Sequence, residues 1–412
     1  MTQIRQRIFQ ATEDFVPEIA AQRQRGLEMR ERVAKILPII AANAEKTEQE
    51  RKVPDENIKL LIECGFTRSL QPAVYGGYEL SPEEYCPIIT DIAGACASTA
   101  WVSGLLAQHN HGLALMSKQV QDEVWGEDPT TLISSSVAPI HQAENVEGGI
   151  KISGRFSFSS GCDHGQWAVL GIKRYDIHIG MEDSPCFILV PRKDYEIFDD
   201  WHVAGLCGTG SKTIVLKDVF VPEYRIESIF AMNFGQSSGY GLHDGGIFKA
   251  PFMTYFSFGF SAVAIGIAMR ALDVYQARLA GRVRAYTGTK VSDNAPSYMR
   301  LAESAHQVRA AYQSLATDWK EIASRSRSGE IPESDESGLW RTNQAYVTKM
   351  AIEAVSRLLE ASGGGAWQTS NEMQRLWRDA NAAGSHAYSD YDVAAQLFGR
   401  QLLELDLAEG LI

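Results

Sequence analysis

The chain has 412 residues, of which 45% are hydrophobic and 22% charged, with a formal net charge of -12. That length accommodates two or three domains, and the composition is globular rather than disordered. A pI of about 5.3 excludes a broad basic face for a phosphate backbone, so nucleic acid is a poor partner, although a local basic spot could still hold a phosphorylated cofactor.

In chain order, VPDENIKLLIECGF predicts a helix with Pro54 near its first turn and Asp55 and Glu56 facing the positive dipole end. Ile58, Leu61 and Ile62 share one face of it, and Gly65 is its stop. A second long helix is predicted through GACASTAWVSGLLAQHNHGLALM, from Gly94 to Met116. From about Thr130 the pattern changes: GGIKISGRFSFSSG alternates through Ile150, Ile152, Phe156 and Phe158, and WAVLGI, PCFILVP and KTIVLKDVFVP follow, punctuated by Pro and Gly. These read as a small β-barrel or sandwich.

After about Arg225 the helical period returns. Ala250 to Met269 carries no charge and is long enough to span a bilayer, yet it holds a Pro, a Thr, a Tyr, two Ser and two Gly. The expectation is a helix apolar all round at the centre of a bundle, not a membrane span. SRSRSGEIPESDES, Ser324 to Ser337, is expected to be an exposed loop. Val347, Met350, Ala351, Ala354, Val355, Leu358 and Leu359 form one helical stripe that Gly363 ends. The expected units are therefore 1–128, helical; 129–232, β; and 233–412, a helical bundle.

Six cysteines (Cys64, Cys86, Cys96, Cys162, Cys186 and Cys207) contain no C-x-x-C pair, and MTQIRQRIFQATEDF has no apolar signal core. Buried thiols in a reducing cytoplasm are the expectation. No G-x-G-x-x-G follows a strand, and no H-E-x-x-H, G-x-S-x-G or Walker loop is present. His109 and His111 stand about 200° apart around a helix and cannot chelate one ion, so no metal is expected. Four polar clusters interrupt apolar surroundings: Gln108-His109-Asn110-His111, Ser134-Ser135-Ser136, Ser159-Ser160-Gly161, and His386 to Asp392. Taken singly, each is also what a capped turn or a satisfied core histidine looks like.

Longer stretches decide between these readings. RKVPDENIKLL, QPAVYGG, AGACASTAW, SKQVQDEVW, SSSVAP, FSSGCDH, FVPEYRI, GFSAVAIGIA, RVRAYTG, WRTNQAY and HAYSDYD resemble the large oxygenase component of two-component 4-hydroxyphenylacetate 3-hydroxylases, over roughly residues 35–400. The resemblance implies an α+β, acyl-CoA dehydrogenase-like fold: an N-terminal α-helical domain, a middle β domain and a C-terminal four-helix bundle. It also implies reduced FMN (FAD being the alternative) supplied by a separate NAD(P)H:flavin reductase, O2 as co-substrate, a C4a-hydroperoxyflavin, ortho-hydroxylation of a phenol, and a homotetramer.

By the same resemblance His109 accepts the phenol proton or stabilises the phenolate, and Ser135 stands beside the substrate and the flavin. Ser160 hydrogen-bonds near flavin N5, His386 assists oxygen activation at the ring, and Tyr388 and Phe256 line the substrate pocket. Trp101 packs against the flavin. Arg282 pairs with the FMN phosphate from a neighbouring subunit, in keeping with the preference of arginine for oxyanions.

One departure matters. Where the family has an arginine for the substrate carboxylate, this chain has Met253, in APFMTYF. A thioether cannot pair with a carboxylate, so a phenol lacking that group, such as resorcinol, is expected. The alternatives are a 4-hydroxyphenylacetate hydroxylase proper, an acyl-CoA dehydrogenase, a nitrogen- or sulfur-oxidising relative, and a binding protein that has lost its flavin.

Overall fold

The computed structural model describes residues 17–176, 181–281, 283, 288, 290, 294–332, 334–403 and 405. Among the described residues the first helices are α1 (Pro17–Ala42), α2 (Ala44–Glu50), α3 (Asp55–Glu63), α4 (Pro82–Ala95), α5 (Ala97–Ala114) and α6 (Lys118–Trp125). Helix α3 forms where the sequence places it, with Pro54 as N-cap, Asp55 and Glu56 in the first turn, and Gly65 just beyond at φ 86°. The long helix expected from Gly94 to Met116 is instead broken. Cys96 adopts an extended conformation (φ -157°, ψ 115°) that ends α4 and caps α5. Periodicity alone could not show this, because the apolar character is continuous through the break.

All of α5 is buried, its polar side chains included. A helix with no solvent face must sit between other layers. One of those layers is the β unit, made of β1 (Ile133–Gln142), β2 (Glu144–Val146), β3 (Gly149–Ser159), β4 (Trp167–Asp176), β5 (Met181–Pro191), β6 (Glu196–Phe198), β7 (Lys212–Pro222) and β8 (Ile226–Ser228). They form two four-stranded sheets, ordered β1-β4-β5-β8 and β2-β3-β7-β6. Ile150, Ile152, Phe156, Ile214 and Leu216 from one sheet share a buried core with Ala168, Leu170, Ile172, Ile188 and Val190 from the other. The result is a sandwich.

Strand β1 runs parallel to β4, and its first four residues are all buried. Strand β3 shifts register between Phe156 and Ser159, where Phe158 takes φ 64°. Such a bulge re-aims the chain, here at the serines that follow.

The remaining helices are α7 (Ile229–Asn233), α8 (Phe252–Phe256), α9 (Phe258–Gly281), α10 (Ala295–Ser328), α11 (Ser334–Ser362), α12 (Glu372–Gly384) and α13 (Tyr391–Leu402). The uncharged stretch becomes α8 and α9. Phe252–Ala280 is long and apolar enough to cross a membrane, but 89% of its apolar window is buried within the protein. It packs on α4, α5, α10, α11 and α12, as a bundle-centre helix does. On α11, Val347, Ala351, Ala354, Val355, Leu358 and Leu359 are buried as their stripe predicts, and Gly363 follows at φ 72°. Each larger aliphatic among them contributes about 1.5–3 kcal/mol by leaving water.

The loop expected over Ser324–Ser337 is mostly helix: α10 runs on to Ser328, with Ser326 buried, and α11 begins at Ser334. Arg325 pairs with Glu330 and Glu336 across the short turn between the two helices. The six cysteines are free thiols, and all but Cys64 are buried.

Candidate active site

Helix α5 carries the first side chains. Trp101 donates its indole N–H to Ser160 Oγ at the end of β3 (3.3 Å). Two turns on, His109 reaches β1: its Nδ1 lies 2.5 Å from the Ile133 carbonyl, and Ser135 Oγ lies 2.7 Å from its Nε2. His111 faces elsewhere, with Nε2 2.9 Å from the Ile247 carbonyl and its ring on Tyr255. The angular divergence read from the sequence is thus real.

These contacts fix a tautomer. A carbonyl only accepts, so Nδ1 of His109 carries the proton. Burial, only partly opposed by that hydrogen bond, pushes the His109 pKa down to about 4, so the ring is neutral near pH 7. Its Nε2 is therefore a lone-pair acceptor, engaged by the Ser135 hydroxyl. A phenol O–H can take the place of that hydroxyl.

The opposite wall comes from α8, α9 and the turn after α12. The His386 ring stacks on Phe260 at 4.0 Å and meets Trp101 edge-on at 5.3 Å. Its Nδ1 accepts from the Tyr388 backbone N–H (3.3 Å), and burial lowers its pKa to about 4. Neutral His386 therefore carries its proton on Nε2, a donor with no acceptor among the described residues.

Phe256 bridges the two ends, 6.3 Å from the His109 ring and 5.7 Å from that of Tyr388. Burial raises the Tyr388 pKa, so its hydroxyl stays protonated and donates to Met253 Sδ (3.4 Å). The backbone N–H of Met253 is held by Asn233 Oδ1 at 2.9 Å.

The fold thus brings together Trp101, His109, Ser135, Ser160, Met253, Phe256, His386 and Tyr388. Arg282 lies outside the described residues. The sequence reading missed four contributors. Phe260, inside a stretch taken as bundle core, stacks on both His386 and Tyr388. Ser211 hydrogen-bonds Ser160 (2.8 Å), and Thr209 hydrogen-bonds Ser211 (2.7 Å). Arg341 lies over the Tyr388 ring at 5.2 Å, with a buried Nε that has no partner among the described residues. The segment WRTNQAY had flagged its neighbourhood without giving it a role.

A planar, redox-active heterocycle fits this wall. Aromatic faces at Trp101 and Phe260, the Ser160 oxygen and the unpartnered Nε2–H of His386 offer stacking and both hydrogen-bond polarities.

A pH prediction follows from the neutral imidazole. An imidazole can serve as a base only when unprotonated, and the folded pKa of His109 is lowered, so a reaction that used it as base would keep working in acid. The acid limb of kcat/KM is therefore expected near pH 4, with activity held as pH falls through 6.5. A limb at an ordinary histidine pKa, between 6 and 7, would show that His109 is solvated rather than buried.

Comparison with known proteins identifies the family. Residues 21–124 match the acyl-CoA dehydrogenase N-terminal domain and residues 258–391 the acyl-CoA dehydrogenase C-terminal domain. The p-hydroxyphenylacetate 3-hydroxylase oxygenase component of Acinetobacter baumannii is 47% identical, over 92% of this chain and 90% of its own. The FADH2-dependent resorcinol hydroxylase oxygenase component of Rhizobium sp. is 34% identical, over 91% and 94%. The crystal structure of 3-HSA hydroxylase from Rhodococcus sp. RHA1 superposes with a TM-score of 0.88 at 36% identity, covering 93% of this chain and 99% of that one. The chain belongs to the family of flavin-dependent aromatic monooxygenases, as an oxygenase component on the acyl-CoA dehydrogenase fold.

Proposed function

We propose that this protein hydroxylates a small phenol ortho to its hydroxyl, using O2 and reduced FMN delivered by a separate NAD(P)H-dependent reductase, and that its preferred phenol carries no carboxylate, resorcinol being the model. The observation that carries the reading is the lone-pair Nε2 of buried His109, held in one tautomer by Ile133 and facing Ser135.

Bound reduced flavin would supply the two electrons that activate O2, one oxygen atom of which passes to the ring while the other leaves as water. The protein does the rest. His109 accepts the phenol hydrogen bond and draws electron density toward the ring. With its pKa near 4, the imidazole completes the transfer only while the phenolate stays beside the imidazolium it creates. Ser160 and His386 hold the cofactor edge with opposite hydrogen-bond polarities. Phe256, Phe260 and Tyr388 orient the ring and exclude water. Trp101 packs the cofactor face, Ser135 flanks both ligands, and Arg282 meets the FMN phosphate within a homotetramer. The cytoplasm, where reduced flavin is made, is its place of action.

Among the described residues that contact this wall there is no carboxylate. That counts against an acyl-CoA dehydrogenase, whose chemistry needs a carboxylate base at the flavin.

Arg341 favours one second reading. It has no acidic partner among the described residues, and a carboxylated phenol reaching past Met253 would meet it beside Tyr388. Turnover with a generic flavin reductase, scored by product chromatography, separates the two. Resorcinol is expected to exceed 4-hydroxyphenylacetate in kcat/KM by about tenfold or more, the scale of one missing polar partner. The opposite ranking would replace the neutral-phenol reading by the Arg341 one.

A further inference from the structure

Three buried hydroxyls run in series from the loop after β6 to the cofactor wall. Leu206 sits at φ 50°, and its N–H is held by Asp379 Oδ1 at 2.7 Å, which fixes its carbonyl in place. That carbonyl accepts from the Thr209 hydroxyl at 2.8 Å. Thr209 Oγ1 lies 2.7 Å from Ser211 Oγ, which lies 2.8 Å from Ser160 Oγ. All three hydroxyls are buried, at 2%, 6% and 6% exposure for Thr209, Ser211 and Ser160, so water does not scramble the series.

The direction of the chain follows from counting hydrogens. A hydroxyl has one proton and two lone pairs. The carbonyl can only accept, so it takes the proton of Thr209. Thr209 must then accept from Ser211, and Ser211, its proton spent, must accept from Ser160. Ser160 therefore points its proton away from the cofactor wall. One of its lone pairs receives the Trp101 indole N–H, and the other is left free.

We propose that Thr209 and Ser211 are positioning residues that make Ser160 an acceptor-only contact, so that the site discriminates the redox state of the flavin. This rests on Ser160 facing N5, as in the proposed function. Reduced flavin carries an N5–H that such an oxygen accepts. Oxidised flavin presents a lone pair at N5 that it repels. The site then takes up the reduced form that the reductase delivers and releases the oxidised product. The directed chain strengthens the effect, since hydrogen bonds in series polarise one another.

The test is equilibrium binding to the full chain, without turnover. Dissociation constants are measured for FMN in air and for dithionite-reduced FMN under anaerobic conditions. Wild type is expected to bind reduced FMN about tenfold or more tightly than oxidised, the scale of a hydrogen bond made against one forbidden. Thr209→Val keeps the shape but removes the carbonyl-directed hydroxyl three hydrogen bonds from the flavin. Ser211 can then donate to Ser160, whose proton turns toward N5. The ratio is expected to fall about tenfold, through weaker reduced and tighter oxidised binding. Thr209→Ser should restore it, which a loss of packing would not allow. A wild-type ratio near one, or an unchanged ratio in Thr209→Val, overturns the inference while leaving the flavin site standing. Failure of wild type to bind either form overturns the proposed function with it.

Discussion

Replacing His109 by alanine is expected to lower hydroxylation by roughly 10²–10⁴-fold, the range for removing a positioned acid–base group. FMN binding should change by no more than about threefold, since no part of the imidazole belongs to the Trp101, Phe260 and His386 wall. The argument rests on polarity. Nδ1 is committed to the Ile133 carbonyl, Nε2 is the lone pair facing Ser135, and burial keeps the ring neutral. Alanine also strands the Ile133 carbonyl, at a cost of about 1–3 kcal/mol in stability. His109→Gln, whose amide can still donate to that carbonyl, separates folding from chemistry. It should fold like wild type and remain deficient in product. Product assay and flavin titration together decide the matter. Undiminished product in both variants would remove His109 from the mechanism.

The second large effect is expected at Met253. Met253→Arg places a guanidinium where Tyr388 now donates to a sulfur, and Asn233 holds the backbone at that point. The kcat/KM for 4-hydroxyphenylacetate is expected to rise by ~10–10²-fold, because a buried carboxylate then gains a charged, hydrogen-bonding partner. Activity on resorcinol should fall, since the new cation would be left unpaired. If the ranking of the two substrates stays as in wild type, position 253 does not set specificity and Arg341 becomes the residue to replace.

Much of this architecture was legible in the residues. The α3 caps, the β7 segment from Lys212 to Pro222 and the α11 stripe from Val347 to Leu359 carry local signals, and the structure follows them. Two misreadings have physical causes. The helix break at Cys96 is a backbone turn inside an unbroken apolar run, invisible to periodicity. The Ser324–Ser337 stretch is polar for the sake of helix ends and ion pairs rather than for a loop, and composition does not distinguish these.

At the site, polar residues in apolar surroundings pointed to His109, Ser135, Ser160 and His386. The partners that set their polarity were hidden. Ile133 and Leu206 act through backbone carbonyls, which no side-chain pattern reports. Thr209 and Ser211 sit in a Gly-rich turn that reads as ordinary loop chemistry. Arg341 approaches Tyr388 from a helix 47 residues earlier in the sequence, a proximity only the fold creates.

The most direct measurement supplies chemically reduced FMN, resorcinol and ¹⁸O2 to the protein alone and weighs the product by mass spectrometry. One ¹⁸O atom on the ring, ortho to an existing hydroxyl, is the expected result. Product without the label, or hydrogen peroxide with no hydroxylated ring, would contradict a site built to pass oxygen from a bound flavin to a phenol held by His109.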